Sequence, residues 1–165
     1  MWWQPIGRED MMIKAYRCDL PVNKDILEKY PGIQVVDSSL LFGLEHIMLA
    51  IEKAEYAFES GCNTSANIFV EVLLWASAQR QIKHALEMYG LNGSQDVVVF
   101  GAEIPPGFSD AHGMREVEIV LDESRINVLK CAFSITDAEL GVVPGRVADA
   151  LRELICERIS LGAVQ

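Results

Sequence analysis

Asn67-Ile-Phe-Val-Glu-Val-Leu-Leu-Trp-Ala-Ser-Ala-Gln-Arg-Gln-Ile-Lys-His-Ala-Leu-Glu-Met-Tyr-Gly90 is the stretch on which the reading of the whole chain turns. Its first half, Ile68 to Ala76, is apolar on nearly every side, with Glu71 its only charge. A helix of that composition belongs in the middle of a domain rather than at its surface. Ser77, Gln79, Arg80 and Gln81 then form a polar knot without an acidic residue. Beyond it, Ile82, Ala85, Leu86 and Tyr89 fall at the spacing of a one-sided surface helix. Gly90 before Leu91 fits a left-handed C-terminal cap. The pattern predicts a buried helix, a tight polar break and a second, amphipathic helix.

The break is the first candidate site. A cation in the first helical turn opposes the dipole by about 0.3–1 kcal/mol. Arg80 at that position, beside two amides and helix N–H groups, suits a docked anion. The alternative, that Arg80 bonds a carboxylate or loop carbonyls elsewhere in the fold, stays open at this point.

The 165 residues suit one domain with one sizeable core. Half are hydrophobic and 23% are charged, a globular balance. A net charge of −10 argues against sequence-blind attraction to nucleic acid, though not against a local basic site. Cys18, Cys62, Cys131 and Cys156 form no C-x-x-C pair and have no histidine at ligand spacing. This points away from zinc and toward reduced thiols in the cytoplasm. The opening Met1-Trp2-Trp3-Gln4-Pro5 is not that of a signal peptide, and no apolar run has membrane-spanning length.

Working outward, Met11–Cys18 reads as a strand whose Lys14 and Arg17 suggest an exposed face or an edge. Val22–Tyr30 is a short helix, and Ile33–Asp37 a second strand leading to Ser38 and Ser39 as helix N-caps. The helix to Ser60 carries Leu44, Ile47, Met48, Ile51 and Phe58 on one stripe, and Gly61 ends it. His46, at the border of that stripe, is a satisfied half-buried histidine rather than a metal ligand, because nothing is spaced to join it. Asn63-Thr64-Ser65 caps the central helix. Asp96–Gly101 is a strand, Glu103–Gly113 a loop, and Val117–Leu121 a further strand. Asp122 caps a helix through Phe133, and Ile135 begins a short pairing segment. Pro144-Gly145 opens a last helix with Leu151, Leu154, Ile155 and Ile159 on one stripe. The sum is a single α/β domain of two layers, a small mixed or antiparallel sheet of about four strands packed with helices. It covers residues 1–165, with 1–10 and 103–113 as flexible segments.

No Gly-rich phosphate loop, nucleophile elbow or H-E-x-x-H pattern occurs. His84 stands four residues after Arg80 and three before Glu87, so the three can share a face, the minimum for general-base work. The same spacing is also that of a solvated helix surface.

Glu71-Val-Leu-Leu-Trp-Ala-Ser-Ala-Gln-Arg-Gln-Ile-Lys-His-Ala-Leu-Glu-Met-Tyr-Gly90 resembles the signature of the PRPK-binding subunit family, the small regulatory subunits of the KEOPS (EKC) complex, in its archaeal form. Asp37–Gly61 and the ending Leu151-Arg-Glu-Leu-Ile-Cys-Glu-Arg-Ile-Ser160 agree with it, so the likeness covers most of Ile33–Ser160. The resemblance implies a non-catalytic accessory subunit without cofactor or metal. Its complex makes threonylcarbamoyladenosine in tRNAs that read codons beginning with A. Such a subunit docks on the N-lobe of the atypical kinase-ATPase subunit and supports its activity, meets the other subunits indirectly, and helps recruit tRNA by its 3′ CCA end. Carried over by position, the tRNA contacts fall on Ser77, Gln79, Arg80, Gln81, Ile82 and Lys83. Many relatives read Ser-Gly-x-Arg-Gln-Ile, and this chain has Ala78 at the Gly position. For the kinase, the last helix and the Ser39–Ser60 helix carry more apolar residues than one small sheet face needs, so part of their surface is expected to be an interface, with Leu151, Ile155 and Ile159 as the nominated contacts. The competing reading is a small enzyme or ligand-binding domain using His84 beside a pocket lined by Trp75.

Overall fold

The computed structural model describes residues 10–162, so the expectation for the chain start falls, but for Asp10, outside the described residues. Strand β1 (Met12–Val22) pairs antiparallel with β3 (Ser94–Gly101), in register from Met12 opposite Gly101 to Arg17 opposite Asp96. β2 (Ile33–Asp37) lies on the other side of β3, and β4 (Met114–Glu116) on the other side of β1. The order is β2-β3-β1-β4, with every pairing antiparallel. β1 is thus an interior strand, not an edge. Its two cations are consumed across the ladder: Lys14 bonds Glu116 at 3.0 Å, and Arg17 grips Asp96 with two bonds of 2.7 Å.

Side-chain alternation along these strands feeds two cores. Ala15, Val36, Val98 and Phe100 face the helices α2 (Leu44–Glu59), α3 (Ile68–Ser77) and α4 (Ile82–Tyr89). Tyr16, Cys18, Val35, Val97 and Val99 face the opposite way, toward Ile26 of α1 (Asp25–Lys29) and Phe108 of α5 (Phe108–Ala111). A third cluster joins Phe42 to α6 (Glu123–Ala132) and α8 (Val147–Leu161), with α7 (Asp137–Val142) beside it. Among the described residues no helix is long and apolar enough to cross a membrane.

Several boundaries differ from the sequence reading, each for a local reason. Ser39 is captured by Asp37, whose Oδ1 accepts both its N–H and its hydroxyl. α2 therefore begins five residues later, after Gly43, with no side-chain cap. Its end is as expected: Gly61 at φ +68 lets Cys62 N–H reach Ala57 and Gly61 N–H reach Phe58, a Schellman closure. Gly90 is extended rather than left-handed, and a Cβ there would stand 2.3 Å from the Leu86 carbonyl oxygen. The segment 103–113 is not loop throughout. Gly107 at φ +74 turns the chain into α5, and Phe108 packs edge-on against Tyr30 at 5.0 Å. The run Val117–Leu121 is not a strand. The ladder uses Met114, whose side chain is buried, and ends with Val117 N–H on the Ala15 carbonyl, leaving Val117 and Val120 exposed. Ile135 is buried but unpaired, because Thr136 and Glu139 form a capping box that starts α7.

Candidate nucleic-acid interface

The start of α3 is fixed by side chains. Asn67, not Asn63–Ser65, is the N-cap, its Oδ1 accepting from Phe69 and Val70 N–H at 2.9 and 3.3 Å. One turn later the lone charge of the helix is buried, and a buried carboxylate is costly unless hydrogen-bonded. Glu71 meets that condition. Oε2 accepts from Thr64 and Ser65 N–H at 3.0 and 2.7 Å, and Oε1 from the Trp75 indole N–H at 3.2 Å. A single acid in an otherwise apolar helix was the available signal for this role, and reading it only as an exception to the pattern missed it.

The far end of α3 is pinned from beneath by His46. The ring is fully buried, with Nδ1 accepting from Phe42 N–H at 3.3 Å and Nε2 donating to the Ala76 carbonyl at 2.8 Å. The Tyr89 hydroxyl adds a second donor to the same carbonyl at 3.0 Å. Burial lowers the His46 pKa to about 4, so the imidazole is neutral and satisfied, more deeply enclosed than the half-buried position expected. Two residues on, Ala78 adopts the left-handed conformation, φ 52 and ψ 30, which costs a non-glycine residue about 1 kcal/mol. Its N–H closes on Trp75 and that of Gln79 on Leu74, so the turn is held despite the methyl group.

From this turn Gln79, Arg80, Gln81 and Lys83 project into solvent, with Ile82 39% exposed beside them. Ser77, the remaining residue of the expected contact set, is withdrawn. It is 1% exposed, its hydroxyl donating to the Leu74 carbonyl and accepting from Gln79 N–H. It shapes the turn. Arg80 precedes α4 rather than occupying its first turn, since Gln81 is the N-cap. Its Nε donates at 3.2 Å to the Gly162 carbonyl at the end of α8, where a cation is favoured by the dipole. A backbone carbonyl is thus one of its partners, as the alternative reading had it.

Between the turn and the α2–α3 connection lies a cleft of about 290 Å³, walled by Cys62, Glu71, Leu74, Trp75, Gln79 and Arg80. His84 is not among the residues lining it. That side chain is 56% exposed, with Nδ1 3.2 Å from Glu87, so the pairing of His84 with a Trp75-lined pocket does not form. Among the described residues no group of three or more His, Cys, Asp or Glu is placed to hold a metal. Burial pushes the Cys18 thiol up to about 11, which leaves it unreactive near neutrality.

Leu151, Ile155 and Ile159, nominated as a partner surface, are completely buried in the third cluster. The apolar surplus of α8 has a different cause. That helix packs on other helices, against Phe42, Leu129 and Phe133, and so needs its own core stripe.

The sequence pattern of the family described as "Kinase binding protein CGI-121" matches residues 21–161. No individual curated protein matches the chain. The match takes in the last two residues of β1, the other three strands and all eight helices, and the chain belongs to that family.

Proposed function

We propose, starting from membership of the kinase-binding family, that this chain is a non-catalytic accessory subunit of a cytoplasmic KEOPS-type complex. In that role it binds the N-lobe of the kinase-ATPase subunit and supports its activity. It also helps bring in tRNA for threonylcarbamoyladenosine synthesis by holding the 3′ CCA end at Gln79, Arg80, Gln81, Ile82 and Lys83. The observation that carries the RNA part is the polar break itself: exposed cation and amide side chains, without an acidic neighbour in the turn, presented by a backbone pinned through Ala76. An arginine fork suits phosphate oxygens, and unpaired RNA ends expose bases that a shallow surface can contact. The overall acidity of the chain confines attraction to this patch, so binding should depend only shallowly on salt. Two or three phosphates on a single strand give a log–log slope of about −2.

Filter binding tests this with full-length and CCA-trimmed tRNA on the unmutated protein and on Arg80→Glu. Each change alone should weaken binding by roughly tenfold or more, and the two losses should not add, because they remove one contact. Equal affinity for the two tRNAs in the unmutated protein would end the RNA part. The kinase part is read separately, by co-purification with the kinase-ATPase subunit, and Arg80→Glu should leave that association intact.

A further inference from the structure

We propose that Glu71 determines base specificity: its carboxylate reads the exocyclic amino group of one unstacked base seated in the cleft beside Trp75, with the adjoining phosphate at the rim near Arg80. This rests on the RNA-binding reading and adds the class of base that the cleft accepts. The cleft carries opposite charges at its two ends, the Glu71 carboxylate inside and the Arg80 guanidinium at the edge. A nucleotide entering phosphate-first would set like charges together in a partly enclosed space, where they interact strongly. Entering base-first, it presents ring faces to Leu74 and Trp75 and an edge to Glu71.

A carboxylate offers roughly four acceptor positions. Thr64, Ser65 and Trp75 fill three of those on Glu71, with Oε1 holding only the 3.2 Å indole bond. What remains is one acceptor position on Oε1 of a residue that lines the cleft, and a carboxylate facing a base there rewards an N–H and rejects a carbonyl. Adenine, cytosine and guanine carry an amino group, whereas uracil presents carbonyl oxygen where cytosine presents N4. The volume of about 290 Å³ is at the small end for ligand pockets, so it suits a single base rather than a stack. Because the same carboxylate bonds the Trp75 indole, one side chain both orients the aromatic wall and reads the edge.

The test varies the ligand before the protein. Short single-stranded RNA oligomers ending in adenosine or in purine riboside, which lacks only the amino group, and in cytidine or uridine are titrated against the intact chain. The amine-bearing member of each pair should bind roughly tenfold tighter or more. Glu71→Gln should abolish that preference while Arg80→Glu weakens all four equally, with thermal melting used to verify that each variant is folded. Should Glu71→Gln not fold, the ligand series alone decides. Binding without preference between the paired ends, but still sensitive to Arg80→Glu, overturns the role of Glu71 and leaves the RNA reading standing. A folded Glu71→Gln that keeps the full preference overturns it as well. No binding of any oligomer or of tRNA overturns both.

Discussion

Helices α3 and α4 follow one another with a single turn between them and are built on opposite plans. α3 has six of its ten residues buried, a double side-chain cap at Asn67, and its Ala76 carbonyl held by both His46 and Tyr89. α4 buries only Ala85 and Tyr89, has no side-chain cap, and leaves Ile82 and Leu86 39% and 44% exposed. The first turns its hydrogen-bonding side chains into the fold, and the second, apart from Tyr89, keeps them at the surface. The loop slung between such a pair is fixed at its root and open at its tip, the arrangement that the proposed RNA contact calls for.

The comparison breaks most severely if the packing behind α3 is lost. Ile159→Glu places a charge in the cluster that backs Trp75 and Ala78, and should cost about 4 kcal/mol or more. Denaturant melts would show an unfolded or barely folded domain. A loss below about 1 kcal/mol would instead put Ile159 at the surface and restore it as a partner contact. Acid provides the next largest effect. With His46 at about 4 in the fold and near 6.5 unfolded, the unfolded chain binds the extra proton first, so stability is complete above pH 6.5 and falls as pH drops toward 4. The integrated loss is about 3 kcal/mol. Below 4.5 a second loss begins at Glu139, held at about 2 by Thr136 N–H and Arg158, so the histidine is best read between pH 6.5 and 4.5. Flat denaturation midpoints across that window would mean that His46 is not enclosed. The smallest effect sharpens the contrast directly. Asn67→Ala should cost about 1 kcal/mol, and Gln81→Ala at the uncapped helix about nothing. Equal losses would show that α4 is capped in solution after all.

The elements with long, clean periodicity were legible from the chain. α2 and α8 follow from apolar stripes, α3 from an all-round apolar run, α6 from its Asp122 cap, β2 and β3 from short β-branched runs, and the break at 77–81 from an abrupt change in polarity. What escaped was settled by tertiary competition. Several serines, asparagines and glycines were assigned to caps, but a cap is chosen by whichever side chain reaches the orphan N–H first. Asp37 diverted Ser39, and Glu71 diverted Thr64 and Ser65. Between 67 and 90 the left-handed residue is Ala78 and not Gly90; alanine has no local preference for that conformation, and only the glycine of the resembled family at this position pointed to it. At the site, the exposed residues of the break were readable and the roles of Ser77 and Glu71 were not, because burial of a single polar group leaves no periodic trace. Leu151, Ile155 and Ile159 show the same limit from the other side: an apolar stripe looks identical whether it faces a partner or a core.

The strand order β2-β3-β1-β4 also sets a timetable. Arg17 and its partner Asp96 stand 79 positions apart, so β1 emerges from a ribosome long before the strand that will lie against it. At about 5–20 residues per second the wait is roughly 4–16 s. Through that interval β1 is an unpaired strand in a crowded compartment, the kind of template on which chains aggregate. Cations on an unpaired strand oppose its pairing with a second copy, and Lys14 and Arg17 keep that charge until Asp96 and Glu116 are made and neutralise it.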